Sequence, residues 1–456
     1  MGTRDIHSLS LDEAADRKVR WNGLIAACAG NLIEWFDFFV YAYLAIYFAP
    51  SFFPDGDQTT QLLSTAAIFA VGFLMRPLGG WIFGYIADTR GRKFSMMISV
   101  FMMSGGSLMI ALIPTYEQIG IMAPVVLLTA RLLQGLSVGA EYGTGATYIS
   151  EIATKGRRAF FGSFQYATIV AGQLCALFVI IILQQFLINE QMQSWGWRIP
   201  FFMGAVGAVV VVYLRRAMTE TASIKEMHRK EAGSIKGLMV HKRAALLVVL
   251  FTAGGSLWFY TFTTYMQKFL VVSGGFERET VSLIMTSALI CFMLAQPLFG
   301  LLADRIGVRT HMLLFTGLGT LLAAPILFAI QSTSSPVQAF FLVLSGLCIA
   351  AFYTPIAGLV KADLFPPAVR ALGVGLPYAI GNAAFGGTAE YVALWMRSAG
   401  IEQNFFFYVS ALAAVACVAS WMLPNLRVHG YLDGDGRIEE NIGLRKTTSD
   451  TALGRH

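Results

Sequence analysis

The residues with chemistry to offer are charged side chains set inside long apolar runs. Glu34 and Asp37 stand three apart in the run 22–49, Arg76 lies within 61–87 and Arg131 within 121–146, Lys268 ends 244–271, and Arg198 precedes 199–214. An ionisable group at the centre of a membrane-spanning helix costs of order 2.5–3.5 kcal/mol on insertion scales, so each is a functional candidate. Acids three residues apart share a helix face, with Tyr41 four further on. By helical rise Glu34 and Arg131 reach similar depth. A guanidinium beside a carboxylate stabilises its charge, and losing that partner, or losing water, favours the proton. Glu34, Asp37 and Arg131 therefore make a candidate proton-coupling cluster; the alternative is a permanent structural ion pair. Arg76 falls about 18 Å before Asp88 by helical rise, and its planar fork suits a carboxylate ligand. Arg198 is the other candidate anion ligand, against interfacial snorkelling beside Trp195 and Trp197. Lys268 either snorkels or joins a polar stripe with Tyr260, Thr261, Thr264, Tyr265 and Gln267. Tyr166 and Gln173, seven apart in 160–188, and Asn382 and Glu390 in 371–395 fit the same cavity, or interhelical hydrogen bonding.

These positions need a frame of membrane helices. The 456 residues are 56% hydrophobic and 13% charged, with a mean hydropathy of +0.62. That is roughly half the usual charge of about 25%, which excludes a soluble enzyme, a disordered chain and a nucleic-acid binder. Runs of about 20 apolar residues predict an all-α integral membrane fold of twelve spans, at 22–49, 61–87, 94–114, 121–146, 160–188, 199–214, 244–271, 280–302, 310–330, 336–360, 371–395 and 403–424. A tail (1–21) precedes a six-helix bundle (22–214), a basic linker (215–243) joins it to a second bundle (244–424), and a second tail (425–456) follows. The first tail mixes both charge signs and no small-residue cleavage site follows it, so it reads as aqueous and not as a secretion signal. With both termini inside, 27 of the 33 lysines and arginines fall on the cytoplasmic side, so the net charge of +6 reports topology. The five cysteines sit singly in apolar stretches and pack as small hydrophobes. The six histidines all fall in tails, loops or span edges, which leaves proton coupling to carboxylates. No metal or cofactor is expected beyond protons as the coupling ion, and membrane lipid is the expected surrounding of a monomer.

The halves echo each other. Gly84, Asp88 and Arg92 after the second span match Gly300, Asp304 and Val308 after the eighth; Glu151 and Arg158 after the fourth match Asp363 and Arg370 after the tenth. Two matches at nearly one offset imply a duplicated six-helix unit with substrate held near mid-membrane between the halves. Gly135, Gly139 and Gly143 recur every fourth residue and make a close-packing face.

At these residues the chain resembles the major facilitator superfamily, whose Gly-x-x-x-Asp-x-x-Gly-x-Arg/Lys loop motif is present in both halves, with Thr89 and Val308 where basic residues are usual. GNLIEWFDFFVY (30–41), FLMRPLGGW (73–81), ARLLQGLSVGAEYGTGATYISE (130–151) and WGWRIPF (195–201) resemble its metabolite:proton symporters. FTTYMQKFL (262–270) and RALGVGLPYAIGNAAFGGTAEYVAL (370–394) resemble the ketoglutarate-transporting branch. The resemblance implies two pseudo-symmetric bundles, proton-coupled uptake of α-ketoglutarate by alternating access in a bacterial inner membrane, and a gate built from Gly84, Asp88, Arg92, Glu151, Arg158, Asp304, Asp363 and Arg370. The candidate substrate contacts, from their polarity within the spans, are Tyr41, Arg76, Tyr166, Gln173, Arg198, Tyr260, Thr264, Lys268 and Asn382. A negative-inside membrane opposes entry of a dianion by about 2.3 kcal/mol per charge per 100 mV, so at least two protons per dianion, or an already protonated substrate, are expected. A sibling symporter for citrate, shikimate or a C4-dicarboxylate is the alternative, and a membrane-embedded enzyme a more distant one.

Overall fold

The computed structural model describes residues 3–434 without 55–57, 217 and 230, together with 436 and 438. Every regular element among them is a helix. Eleven are long and apolar enough to cross a membrane: span 1 (Arg17–Phe52), span 2 (Ala67–Arg90), span 3 (Arg92–Leu112), span 4 (Met122–Ile152), span 5 (Arg158–Phe186), span 6 (Arg198–Arg216), span 7 (Lys242–Val272), span 8 (Arg278–Ile306), span 9 (Val308–Ser332), span 10 (Pro336–Asp363) and span 12 (Glu402–Trp421). The expected span 11 is present in pieces, Arg370–Gly381, a π-helical turn Asn382–Gly386 and Ala389–Ser398. Most ends lie within about one helical turn of the expected positions. The expected tail 1–21 is helical from Thr3 and continuous with span 1, and residues 441–456 lie outside the described ones. An even number of spans puts both termini on one face, called here the terminal face.

The helices that meet between the two bundles are interrupted, and each interruption has a sequence cause. Span 2 breaks at Met75, just before Arg76, where Pro77 cannot donate to the carbonyl four residues back. Span 10 gives way to a turn at Phe352 and Tyr353 and a 3₁₀ segment around Pro355. Span 7 widens into a π-helical turn at Thr261–Tyr265, a feature that concentrates at functional sites. Irregular backbone at membrane depth is tolerated where protein, not lipid, surrounds it.

Glycines bring the bundles together. A Cβ on Gly84 would lie 2.7 Å from the Leu372 Cα, and one on Gly143 would lie 2.5 Å from the Gly375 Cα. On the pseudo-symmetric side, a Cβ on Gly300 would lie 2.9 Å from the Phe160 Cα. Spans 2 and 4 of the first bundle thus touch span 11 of the second backbone to backbone, and span 5 touches span 8. Gly135 and Gly139 bring span 4 equally close to Gly72 and the Arg76 backbone, so the glycine stripe sets where Arg76 stands.

Candidate functional site

The expected proton cluster separates into two. Asp37 accepts from Ser107 Oγ at 2.5 Å; Ser107 in turn accepts from Gln134 Nε2 at 2.9 Å, and Gln134 Oε1 accepts from Arg131 at 2.5 Å. Acid and guanidinium are therefore joined through a serine and an amide, with no direct pair between them among the described residues. Gly204 on span 6 leaves the space that the Asp37 carboxylate fills. The Arg131 guanidinium lies 4.1 Å from the Tyr41 ring centre, an attraction between a cation and an aromatic face, and the Tyr41 hydroxyl donates to the Thr65 carbonyl at 3.1 Å.

Glu34 turns to a different partner set. Its carboxylate accepts from Ser137 Oγ at 3.3 Å. Ser99 Oγ donates to Glu141 at 2.9 Å, and Arg215 pairs with that same Glu141 and with the Met96 carbonyl. Glu34 and Glu141 both line one cavity of about 10 Å³. Three residues along a helix turn the side chain by 60° and shift it one turn, enough to send Glu34 to span 4 and Asp37 to spans 3 and 6. Glu141 and Arg215 were not among the expected site residues. Arg215 was counted with the aqueous linker, yet it is buried in the space Gly30 leaves open.

Arg76 is buried between the bundles. It packs on Phe73 at 3.9 Å and Phe38 at 4.9 Å from the ring centres, and donates across the bundle interface to the Tyr260 hydroxyl at 3.3 Å. Its Nη2 has no hydrogen-bond partner, and no carboxylate is paired with it among the described residues. Facing it from the second bundle are Tyr260 on span 7 and, nearby, Asn382 on span 11, whose amide nitrogen is buried and unpartnered. Thr264 also carries a buried, unpartnered hydroxyl.

A second cation of this kind escaped the sequence reading. Lys361 was counted with the basic residues outside the membrane, but it is completely buried on span 10. Its ammonium donates to the Tyr142 hydroxyl of the other bundle at 2.7 Å and lies 4.5 Å from the Tyr378 ring centre. Tyr142 and Tyr378 stack across the interface with ring centres 3.4 Å apart. Tyr166 is buried close by, its ring edge-on to Phe259.

Other expected contacts are engaged elsewhere. Arg198 donates to the Ala111 and Ile113 carbonyls at 2.9 and 2.7 Å and packs on Trp197, so it closes the end of span 3, where the last helical carbonyls lack partners. Lys268 pairs with Glu390 at a half-exposed position. Gln173 donates to the Tyr43 hydroxyl at 3.0 Å. His311 is a correction: it is buried at the start of span 9, with Nδ1 3.1 Å from the Phe352 carbonyl.

The expected gate residues meet on the terminal face. Asp88 accepts the Ala371 and Leu372 amides at 3.1 and 2.9 Å, and Asp304 accepts the Ala159 and Phe160 amides at 2.9 Å each. Each aspartate thus caps the first turn of a helix in the opposite bundle, where free N–H groups and the helix dipole favour an anion. The second copy does this without a basic residue at Val308; there Arg427 donates to the Asp304 carbonyl. Glu151 of the first bundle pairs with Arg370 of the second at 2.9 Å and with Arg92 at 3.3 Å, and Arg92 also reaches the Pro367 carbonyl at 2.9 Å. The segment after span 12 ties the same layer. Asp433 pairs with Arg158 at 2.8 Å, and the Leu432 amide donates to Asp363 at 2.7 Å. This face is closed.

The site therefore combines an unpaired arginine between two bundles, acids held by serines in the first bundle, and a sealed face. Residues 23–223 match the family model for sugar (and other) transporters, and residues 270–434 match that for the Major Facilitator Superfamily. The chain is 56% identical over 410 residues to the alpha-ketoglutarate permease of Escherichia coli (strain K12), covering 90% of this chain and 95% of that protein. It is 32% identical to the inner membrane metabolite transport protein YhjE of the same organism, over 87% of this chain and 92% of that one. Among solved structures, the proton:xylose symporter XylE bound to 6-bromo-6-deoxy-D-glucose superposes with a TM-score of 0.72 at 15% identity, over 89% of this chain and 96% of that one. That likeness is one of fold.

Proposed function

Because the chain belongs to the major facilitator superfamily, we propose that it is a proton-coupled symporter taking up α-ketoglutarate across the bacterial inner membrane by alternating access. The observation that carries this reading is Arg76, a buried guanidinium at the bundle interface with an unpartnered nitrogen and no acid paired with it among the described residues. A buried charge without a partner is costly, and a carboxylate substrate that accepts from the planar fork offsets that cost. The permease named for this dicarboxylate is more than half identical along nearly the whole chain, which supports α-ketoglutarate over citrate, shikimate or a C4-dicarboxylate. The relatives reported are transporters, which supports transport over membrane-embedded catalysis.

The excess of lysine and arginine on the terminal face makes that face cytoplasmic. Substrate then enters from the outside while Asp88, Glu151 and Asp304 hold the inner face shut. Release requires those contacts to part and the bundles to rock about the site. Asp37 takes a proton on the outside and releases it inside, in exchange with the Ser107–Gln134–Arg131 chain that stabilises its charge; Glu34, beside Glu141, offers a second place for a proton. Two such places match the two protons needed to carry a dianion inward against a negative interior.

Proteoliposomes test this by separating net uptake from exchange. The wild type takes up labelled α-ketoglutarate under an inward proton gradient and also exchanges it. Asp37→Asn is expected to keep exchange and lose net uptake, because an amide resembles the protonated acid and cannot release the proton. An Asp37→Asn variant with undiminished net uptake and unchanged pH dependence would remove Asp37 from the coupling step. A wild type that takes up no ketoglutarate under the gradient would overturn the functional reading itself.

A further inference from the structure

The functional reading leaves Lys361 without a role. It is a lysine with no exposed surface, on the span 10 segment Ala357–Asp363. Among the described residues no carboxylate is paired with it. Its surroundings are aromatic: the Tyr142 hydroxyl accepts from it at 2.7 Å, and the ring centres of Tyr378, Tyr142 and Tyr353 lie 4.5, 4.8 and 5.5 Å away. Aromatic faces attract a cation, and a carboxylate brought beside the Lys361 amine favours its charged form. The polar contact is with the other bundle, and the Tyr142–Tyr378 stack spans the same interface.

Arg76 has the converse placement. It belongs to the first bundle, its polar contact is the Tyr260 hydroxyl of the second, and it too lacks an acid. Each bundle therefore presents one buried basic side chain whose hydrogen bond crosses to a tyrosine hydroxyl of the other. A dicarboxylate has two charged ends, one for each.

We infer that Lys361 is the second carboxylate ligand, so that a dicarboxylate bridges Arg76 of the first bundle and Lys361 of the second. The inference rests on the dicarboxylate reading of the function. It deepens that reading by assigning the two ends of the substrate to different bundles. An acid with one carboxylate engages a single cation and does not link the bundles, so selectivity for two charged ends and closure around the substrate come from one arrangement. To meet the substrate, the ammonium exchanges the Tyr142 hydroxyl for a carboxylate oxygen while keeping its aromatic surround.

The test compares binding of α-ketoglutarate and of 2-oxopentanoate, which lacks the second carboxylate, to the purified full-length protein and to Lys361→Gln and Lys361→Arg. Isothermal titration supplies the affinities. The wild type prefers the dicarboxylate. Lys361→Gln weakens α-ketoglutarate by about 10- to 100-fold, the size of a lost charged hydrogen bond, and leaves 2-oxopentanoate unchanged, which also reports that the variant is folded. Lys361→Arg restores part of the preference. Equal weakening of both acids would make Lys361 a structural residue and overturn the inference. So would unchanged α-ketoglutarate affinity with an altered pH dependence of uptake, the mark of a proton carrier. A wild type with no dicarboxylate preference would instead overturn the functional reading on which the inference stands.

Discussion

Arg76→Ala abolishes ketoglutarate uptake while leaving the protein at least as stable to heat as the wild type. The two halves of that result follow from one fact, the lack of an acid partner for Arg76. Truncating one member of a buried ion pair strands the other charge and typically costs 3–5 kcal/mol of stability. Here nothing is stranded except the Tyr260 hydroxyl, and a buried charge has been removed. The substrate loses a charged, two-pronged contact instead. Removing such a partner costs about 2–5 kcal/mol of binding, a fall in affinity of roughly 30- to several thousand-fold. Arg76→Lys keeps the charge and loses the fork, so it should recover only part of the affinity. Substrate titration and thermal unfolding of the same preparations check both halves. A large loss of stability in Arg76→Ala would place the arginine in the scaffold.

Glu151→Gln has the opposite character. Its carboxylate is shared by Arg370 across the interface and by Arg92 within its own bundle, and accepts from the Thr221 hydroxyl. The amide keeps the shape and removes the charge, leaving two buried guanidiniums without their common acid. Stranding buried charge costs about 3–5 kcal/mol; Arg92 keeps Asp88 at 3.3 Å within its own bundle, so the loss confined to the closed state is the one at Arg370 across the interface. The equilibrium should move toward the state open on the terminal face by about two to three powers of ten. A thiol introduced at Ala371, buried beneath Asp88, reports the change. Its modification by an impermeant thiol reagent from the terminal side should speed up in Glu151→Gln, measured against the native cysteines alone. Equal rates in both backgrounds would mean that Glu151 does not hold the gate.

The contrast between these residues explains what a linear reading reaches. The gate was legible because its parts sit at helix ends in a repeated pattern. Asp88 and Asp304 are 216 residues apart, the amides they hold at Ala371 and Ala159 are 212 apart, and the same contact forms twice. Glu34 and Asp37 were legible as buried acids, but spacing gives only the face of a helix. It does not give the neighbour, and the single methylene and 60° between them put the two in different clusters.

Lys361 and Arg215 escaped for a different reason. Both lie within three residues of the end of their helices, where a lysine or arginine ordinarily turns its head out to water. Burial at such a place is decided by what the other helices bring: Tyr142 and Tyr378 for Lys361, the gap at Gly30 and the carboxylate of Glu141 for Arg215. Arg198 is the reverse case, taken up by carbonyls at the end of span 3 that no spacing announces. Span 11 was expected whole, and its break at Asn382–Gly386 places Asn382 and its free amide near Tyr260.

The central claim is that a dianion held by buried cations moves with protons taken up by the acids of the first bundle. Simultaneous recording of proton and labelled α-ketoglutarate entry into proteoliposomes, at a fixed interior-negative potential, tests it most directly. The account predicts uptake driven by the gradient, abolished by a protonophore, with two or more protons entering per ketoglutarate. Uptake that proceeds unchanged with protonophore present and with the exterior made alkaline would contradict it.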